Sequence, residues 1–496
     1  MTTSHARQLL GAALFLGVSG DLLISPENTR LGLAVWLVLI VGVAWWCRTM
    51  RPPGVATETT ASERGLLLAI IVLAAISSVV RDSERLVVLA AMLSFGAAAL
   101  VIWTAQGFSL ASLRLTDGFV AARLSLFTTL TGVVPLALSD ANWGADGTPS
   151  HKNARLTLIG TLVALPLIAV TATLLGEADP IFGSWVERLT GFISVNLGEH
   201  VIGSFLLMWV TAGWLRGSVR PRTSRVGRID LSAWRVEMAA LAPALYAMII
   251  VFAAFIGLQA RTLISGAAYV ERTTGLSYAE YARGGFFELV GVTMIVLGVL
   301  LLADEFLDRK STNGERRFRS ASWMLLALVA MLAASAAYRM SLYVNAYGLS
   351  EDRLFALAGM LWIGVALGWF GWTVLRGRRE VFPVGLVAWT VGWVFALNVL
   401  LPDALVARVN LSRARAGLEF DVAYHATQLP DAVPVLVEGA GDLPQAQCRE
   451  LLVQLSDRSA ARASGDWRRW SLATARARRA LAPGVDALVT QHCGRV

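Results

Sequence analysis

The feature that most constrains this chain is a succession of apolar runs, each long enough to cross a lipid bilayer. Of its 496 residues, 56% are hydrophobic and 16% are charged, and the mean hydropathy is +0.60. A soluble domain carries more charge than this. An apolar helix of about 20 residues spans the hydrocarbon core, and the period-two alternation of barrel strands is absent. The sequence therefore predicts an all-α, multi-pass transmembrane helical bundle.

Eleven segments have the length and composition of a span. They are Leu9–Ile24, Leu31–Cys47, Gly65–Val80, Leu86–Thr104, Leu156–Leu175, Val201–Leu215, Met238–Leu258, Phe286–Leu302, Trp323–Leu342, Leu354–Leu375 and Val381–Leu401. A twelfth candidate, Phe119–Leu138, carries Arg123 and several hydroxyl residues. It either crosses the membrane or lies in the interface.

Charges in the loops predict the orientation of the spans. Three loops rich in arginine, at 216–235, 309–319 and 376–379, are separated by pairs of spans and so lie on one side. Basic short loops are cytoplasmic. If Phe119–Leu138 does not cross, the arginines of the 48–64 loop also lie inside. We therefore favour eleven spans with the N-terminus in the cytoplasm. Twelve spans with the N-terminus outside is the alternative, and both orientations leave the C-terminal tail outside.

The composition changes after Leu401, where Pro402 and Asp403 end the last span. This boundary predicts two domains, a transmembrane domain over 1–401 and a small, mostly helical extracytoplasmic domain over 402–496. The tail contains Cys448 and Cys493. They can form a disulfide if the tail faces an oxidising compartment, and two unpaired thiols are the alternative.

Common catalytic signatures are absent from the sequence. It contains no HExxH, P-loop, GxGxxG or paired CxxC motif, and its five histidines lack metal-ligand spacing. We expect no metal and no cofactor. His200 follows Glu199 at the outer end of a span and is interpreted as a hydrogen-bonded surface residue. The net charge is +8, and the arginines that cause it lie in short loops between apolar runs. Membrane topology accounts for this pattern, so no nucleic-acid partner is expected. The expected partners are the bilayer, and beyond it anionic lipid headgroups or other envelope proteins.

Charged residues inside or near the spans are the candidates for a site, because unpaired charge in hydrocarbon is costly. The predicted topology brings six of them to one outer layer: Asp21, Glu177, Asp179, Glu288, Arg339 and Arg353. One interpretation is a polar vestibule for a proton, an ion or a headgroup. The other, which we favour, is a Glu288–Arg339 ion pair that holds helices together.

The segment before Glu288 has an unusual polar head, with Tyr278, Glu280, Tyr281, Arg283 and Gly285. The two tyrosines lie three residues apart, as in an aromatic belt. Glu280 and Arg283 can pair on one helical face. The glycine permits close packing or a kink. Helix capping, anchoring and packing therefore account for most of this motif.

Several spaced stretches resemble one bacterial family of polytopic membrane proteins. The clearest are YAEYARGGFFEL over 278–289, LPLIAVTATLLGEADPIF over 165–182 and LYVNAYGLSEDRL over 342–354. Positions in the tail agree as well: Pro402, Asp403, Asn410, Arg413, Asp421, Tyr424 and the run 431–434. The family is known only as a domain of unknown function (DUF) of the forty-one-seventy-three and forty-one-fifty-three type. The resemblance implies an architecture and no mechanism. Leu401 and Gly284 depart from the pattern, where asparagine and arginine are expected.

The sequence therefore predicts an integral protein of the bacterial inner membrane with a binding, sensing or scaffold role at the cell envelope, and we favour a role without catalysis. Two other functions stay open. One is a secondary transporter of a small solute or ion that uses the outer polar layer. The other is a membrane enzyme that acts on a lipid-linked substrate.

Overall fold

The fold is all-helical in the part of the chain that the computed structural model describes. That part comprises residues 2–24, 30–50, 58–113, 115–141, 195–219, 235–274, 286–428, 430–461 and 465–494, with isolated positions between 157 and 184. No strand occurs among these residues, and a single bridge joins Val236 to Leu307. The predicted fold class is confirmed.

The chain divides into two compact units. The first comprises Met1–Ser112, Thr116–Val226 and Ser464–Ala475, and the second comprises Leu113–Leu115, Gly227–Ala463 and Arg476–Val496. Each unit contains apolar helices and a part of the tail. The predicted division into residues 1–401 and 402–496 is not tested by this grouping and stays a prediction.

Six long helices of the first unit are described. They are α1 (Thr3–Leu23), α2 (Leu31–Trp46), α3 (Glu58–Val80), α4 (Glu84–Ala105), α5 (Leu115–Thr131) and α6 (Val195–Val219). In the contact between α1 and α6, a Cβ on Gly17 would lie 2.6 Å from the Met208 Cβ. Only glycine permits the two backbones to come this near. On the next turn of α1, Asp21 lies beside His200, so α1 and α6 run antiparallel.

The membrane helices of the second unit are α7 (Met238–Thr274), α8 (Phe286–Phe306), α9 (Thr312–Tyr347), α10 (Glu351–Thr373) and α11 (Val381–Leu400). They share one hydrophobic core whose fully buried members include Val296, Leu300, Leu325, Val329 and Phe370. At about 1.5 Å per residue, the 23 residues of α10 extend for about 35 Å, enough to cross the hydrocarbon of a bilayer.

Tail residues of the second unit form a separate apolar core. They belong to α12 (Pro402–Arg415), α13 (Val422–Ala426), α14 (Val433–Gly439), α15 (Gln445–Ala461), the part of α16 (Leu472–Leu481) from Arg476 onward, and α17 (Val485–His492). Leu436, Leu451 and Leu452 are fully buried in this core. A disulfide joins Cys448 to Cys493 and fastens the last helix to α15.

Seven described helices are long and apolar enough to cross a membrane, or eight if a bent pair over 117–140 counts as one span. Eleven were expected. The seven coincide with predicted spans. Of the other four, Leu31–Trp46 is apolar but has 16 residues, Val195–Val219 is a helix with Arg216 in its last turn, and Phe286–Phe306 is a helix whose first five side chains lie outside the described residues. Most of Leu156–Leu175 lies outside the described residues.

The residues that flank the twelfth candidate, Phe119–Leu138, contact the same end of the first unit. Before it, the Leu110 N–H donates to Glu63 near the start of α3 at 2.9 Å. After it, Arg216 near the end of α6 donates to Asp140 at 2.7 Å, and Arg7 near the start of α1 donates to the Ala141 carbonyl at 3.2 Å. The start of α1, the start of α3 and the end of α6 are neighbours in this antiparallel arrangement. The contacts on both flanks thus lie at one end of the unit, and whether Phe119–Leu138 crosses the membrane stays a prediction.

A buried carboxylate holds the helix ends of the second unit together at the end opposite the α9–α10 connection. Asp304 is 5% exposed. It accepts from Arg309 at 2.8 Å and from Arg379 at 2.6 Å. Glu315 accepts a further hydrogen bond from Arg309 at 3.3 Å. One carboxylate thus joins the end of α8 to the connection between α10 and α11.

We expect Asp304→Ala to lower the free energy of unfolding by about 1–3 kcal/mol, because it removes the shared acceptor of two charged donors. Chemical denaturation in detergent measures the change. Asp308→Ala is the matched control, since the Asp308 side chain only accepts from the Lys310 backbone N–H at 3.2 Å and lies 3.8 Å from the 90% exposed Lys310 ammonium, and so joins no separate elements. Equal losses for the two variants would contradict the bridging role.

Candidate functional site

The connection between α9 and α10 is a tight corner that contacts the tail. Gly348 has φ +80°, a conformation that side chains with a Cβ rarely adopt. A Cβ on it would also lie 2.6 Å from the Asn410 Oδ1. Ser350 caps the N-terminus of α10 by accepting from the Arg353 N–H at 3.4 Å. Backbone conformation and lack of space both require glycine at the corner.

Two arginines satisfy the carbonyls at the end of α9. The last carbonyls of a helix have no partner within the helix. Arg413, from α12, donates to the carbonyls of Asn345 at 2.7 Å and Ala346 at 3.2 Å. Arg353, from α10, donates to the carbonyls of Tyr347 and Gly348, and its guanidinium lies 4.1 Å from the centre of the Tyr343 ring. Cations also interact favourably with the negative end of a helix dipole.

Asn410 joins the corner to the tail through three hydrogen bonds. Its Oδ1 accepts from the Leu349 N–H at 2.8 Å, and its Nδ2 donates to the Leu349 carbonyl at 2.6 Å. The same Nδ2 donates to the Nε2 of His425 at 3.1 Å. Leu349 and Asn410 are both buried. The Asn410 amide therefore pairs with both backbone groups of Leu349, as a neighbouring strand does in a β-sheet.

His425 is 1% exposed, and both its ring nitrogens are bonded. Its Nδ1 lies 3.0 Å from the Gln428 Oε1, so Nδ1 carries the proton and Nε2 accepts from Asn410. The ring stacks on Phe420 with centroids 4.4 Å apart. Burial lowers the pKa of His425, while the Gln428 hydrogen bond and the Asp421 charge oppose that shift. The imidazole is therefore held neutral.

Tyr424 adds a second link between the tail and α10. Its hydroxyl accepts from the Glu351 N–H at 3.0 Å, one of the unpaired donors in the first turn of α10. Burial raises the pKa of Tyr424, so the phenol stays protonated. We call Gly348, Arg353, Asn410, Arg413, Tyr424 and His425 the corner cluster.

Of the six residues of the predicted outer layer, Arg353 belongs to the corner cluster, where it caps a helix end. Arg339 is 6% exposed and lies eight residues before the end of α9, about 12 Å along the helix axis. The Glu288 backbone belongs to α8, but its side chain lies outside the described residues. The Glu288–Arg339 pair therefore stays a prediction.

The structure brings Asp21 and His200 together in the first unit. The Asp21 Oδ2 lies 2.7 Å from the His200 Nδ1, and His200 keeps 59% of its side chain exposed. Asp179 accepts from the N–H groups of Ile181 and Phe182, a local turn at an exposed position. Glu177 lies outside the described residues, as do Tyr278, Glu280, Tyr281, Arg283 and Gly285. A single polar layer formed by the six residues stays a prediction.

Sequence reasoning noted Asn410, Arg413 and Tyr424 only as positions of family resemblance, and did not select His425 or Gln428. No motif spacing marks these residues, because most of their partners are distant in sequence: His425 lies 15 residues from Asn410, and Tyr424 lies 73 residues from Glu351. The available signal was that two resembling stretches, over 342–354 and 402–434, are both rich in polar residues beside apolar helices.

A comparison with family models places the corner cluster in a known family. The model described as "Domain of unknown function (DUF4153)" matches residues 68–439. The chain belongs to this family. The match includes every member of the corner cluster and parts of both units, and the expected family resemblance is confirmed. No match was found among curated proteins or among solved structures.

The chemistry of the DUF4153 corner cluster is that of a rigid connection. Its donors and acceptors pair with one another and with backbone groups, and no group of three or more potential metal ligands occurs among the described residues. The cluster contains a neutral histidine whose protonation would convert Nε2 into a donor facing the Asn410 N–H. The arrangement can therefore hold two elements together and respond to acid.

We expect Asn410→Ala to lower the free energy of unfolding by about 2–4 kcal/mol, because it leaves buried backbone groups of Leu349 unpaired at about 1–3 kcal/mol each. Chemical denaturation of the detergent-solubilised protein measures the loss. Asn345→Ala is the matched control, since that side chain is exposed and contributes only its carbonyl to the corner. A loss below about 0.5 kcal/mol for Asn410→Ala would contradict the assigned role.

The buried His425 predicts a loss of stability in acid. Its folded pKa is lowered, so the unfolded chain binds a proton that the folded chain does not, and this begins as the pH falls below the unfolded value of about 6.5. Stability then falls by at most about 1.4 kcal/mol per pH unit until the folded pKa is reached. Denaturation of wild type and His425→Gln from pH 7.5 to 5.0 tests this. Identical pH dependence in the two proteins would be inconsistent with a neutral His425.

Proposed function

We propose that this protein is a binding and sensing protein of the bacterial inner membrane, in which the tail carries the receiving surface and the corner cluster transmits its state to the membrane helices. The observation that carries the proposal is the set of three hydrogen bonds from Asn410. They fasten α12 to the corner of two long apolar helices and, through His425, to α13. A shift of the tail is therefore expected to move that corner.

The helices attached to the corner are suited to carry such a movement. In the second unit, α9 and α10 run from the corner to the cluster of Asp304, Arg309 and Arg379. Packed helices behave as rigid elements with a small number of arrangements. Arg378, beside Arg379, is exposed at this distant end. A movement that begins at the corner can therefore be detected at Arg378, about 35 Å away along α10.

The orientation is part of the proposal. In the second unit the tail and the arginine-rich ends lie at opposite ends of α9 and α10. In the first unit, Arg468 of the tail donates to the Leu22 carbonyl at the end of α1, whereas Arg216 lies near the start of α1. Basic ends are typical of the cytoplasmic side, and a disulfide is typical of an oxidising compartment. Both support a cytoplasmic N-terminus and an extracytoplasmic tail.

A fluorescent label at the distant end tests the transmission. Arg378→Cys provides the attachment point, since Cys47 is buried and the two other cysteines are bonded to each other. Nanobodies selected against the exposed face of α15 serve as tail ligands for the protein in nanodiscs. We expect some of them to change the label's fluorescence by tens of per cent, and Asn410→Ala to abolish that change while it preserves binding.

Two results would contradict the sensing proposal. One is a panel of tail-binding nanobodies that never alters the label. The other is a response that persists unchanged in Asn410→Ala, with Asn345→Ala as the control. Solute uptake by proteoliposomes that depends on the protein would instead favour the transporter alternative, and turnover of a lipid-linked donor would favour the enzyme.

A further inference from the structure

The first unit contains an apolar cavity between its membrane helices. The cavity has a volume of about 230 Å³ and is lined by residues of α2, α3, α4, α5 and α6. No charged side chain belongs to its lining. Its walls come from the parts of α3 and α4 that qualify as spans, so it lies within the predicted hydrocarbon layer.

Most polar atoms of the cavity wall are already satisfied by the protein. The hydroxyls of Ser78, Ser94 and Thr211 donate to carbonyls of their own helices at 2.7–2.9 Å. The indole N–H groups of Trp36 and Trp214 donate to carbonyls at 2.8 and 3.1 Å. A buried water needs two to four polar partners. Most of this wall offers none, so the cavity favours hydrocarbon over water.

The remaining polar atoms lie together on α5. Ser125 and Thr129 line the cavity, and neither hydroxyl has a hydrogen-bond partner among the residues that the structure describes. An occupant that fits this wall is a hydrocarbon chain with a polar group near α5. The ester end of a lipid chain has that character.

The size and the opening of the cavity agree with such an occupant. A dry apolar cavity of about 150 Å³ is already large enough to bind benzene. Phe95 lines the cavity while 78% of its surface is exposed, so the cavity opens onto the outer surface of α4. Met92, on the same outer surface, is 65% exposed. In a bilayer this surface faces the acyl chains.

We propose that the cavity binds one acyl chain of a membrane phospholipid, which enters beside Phe95 and places its ester end near Ser125 and Thr129. The site is independent of the corner cluster and of the sensing function. It makes the bundle of the first unit a lipid-binding element whose occupancy depends on the hydrocarbon chain that the bilayer supplies.

Photo-crosslinking in vesicles tests the proposal. The protein is reconstituted in phosphatidylcholine that bears a diazirine in one acyl chain, irradiated, and sequenced by mass spectrometry. We expect labels at inward positions of α4, such as Ala90 and Ser94, as well as at the outward Met92. Ala91→Phe, which fills the cavity, should lower the inward labelling at least fivefold and leave the labelling of Met92 unchanged.

The controls separate the cavity from the general surface. Met92→Phe adds the same ring outside the cavity and should leave the inward labelling within twofold of wild type. If Ala91→Phe does not fold, Ala98→Leu fills the same cavity with a smaller change. Absence of inward labels in the wild-type protein, or inward labels that survive both fillings, would overturn the proposal. Inward labelling by a diazirine fatty acid but not by the phospholipid would overturn the assigned source.

Discussion

The carbonyls at the end of α9 impose the constraint on which the second unit depends. α9 has 36 residues, and only three residues connect it to α10. The last carbonyls of α9 therefore need hydrogen-bond donors that neither the hydrocarbon nor this short connection supplies. Arg413 and Arg353 supply the donors. Because Arg413 belongs to the tail, the helix end is complete only when the tail is in place. The tail is therefore a structural requirement of the membrane helices and not an appendage.

Buried polar groups are paired at both ends of the α9–α10 pair, with backbone acceptors at one end and a carboxylate acceptor at the other. At the corner, cationic side chains meet backbone carbonyls, and a neutral amide and imidazole complete the network. At the distant end, a buried carboxylate collects two guanidinium groups from different connections. Removing one partner from either arrangement leaves buried groups unpaired, which costs more than the net contribution of the bond. Most of the described charges of this unit thus lie at the ends of helices, where they connect elements.

Sequence reasoning predicted what depends on composition and length, and missed what depends on tertiary contact. The all-α class, seven of the eleven predicted spans and the family follow from apolar runs and local motifs. The interpretation of His200 as a hydrogen-bonded residue named no partner, because Asp21 is 179 residues away. His425 was passed over since one histidine without ligand spacing carries no signal until its neighbours are known. Arg353 was assigned to a polar layer, and its described contacts are a helix end and an aromatic ring. Periodicity indicates which face of a helix is buried, but not which side chain from a distant part of the sequence bonds to the groups at its ends.

The geometry of the corner cluster favours the proposed sensing role over a catalytic one. Catalysis needs a group whose reactive atom is accessible and whose protonation state is poised for transfer. His425 has both ring nitrogens committed and is 1% exposed, so it is poorly placed to exchange protons with a substrate. The same hydrogen bonds make His425 sensitive to acid. A proton added to Nε2 would make it a donor that faces the Nδ2 donor of Asn410, where α12 and α13 of the tail meet the α9–α10 connection. Neither ring nitrogen is free to relieve this repulsion, so the strain passes to the elements that the imidazole joins.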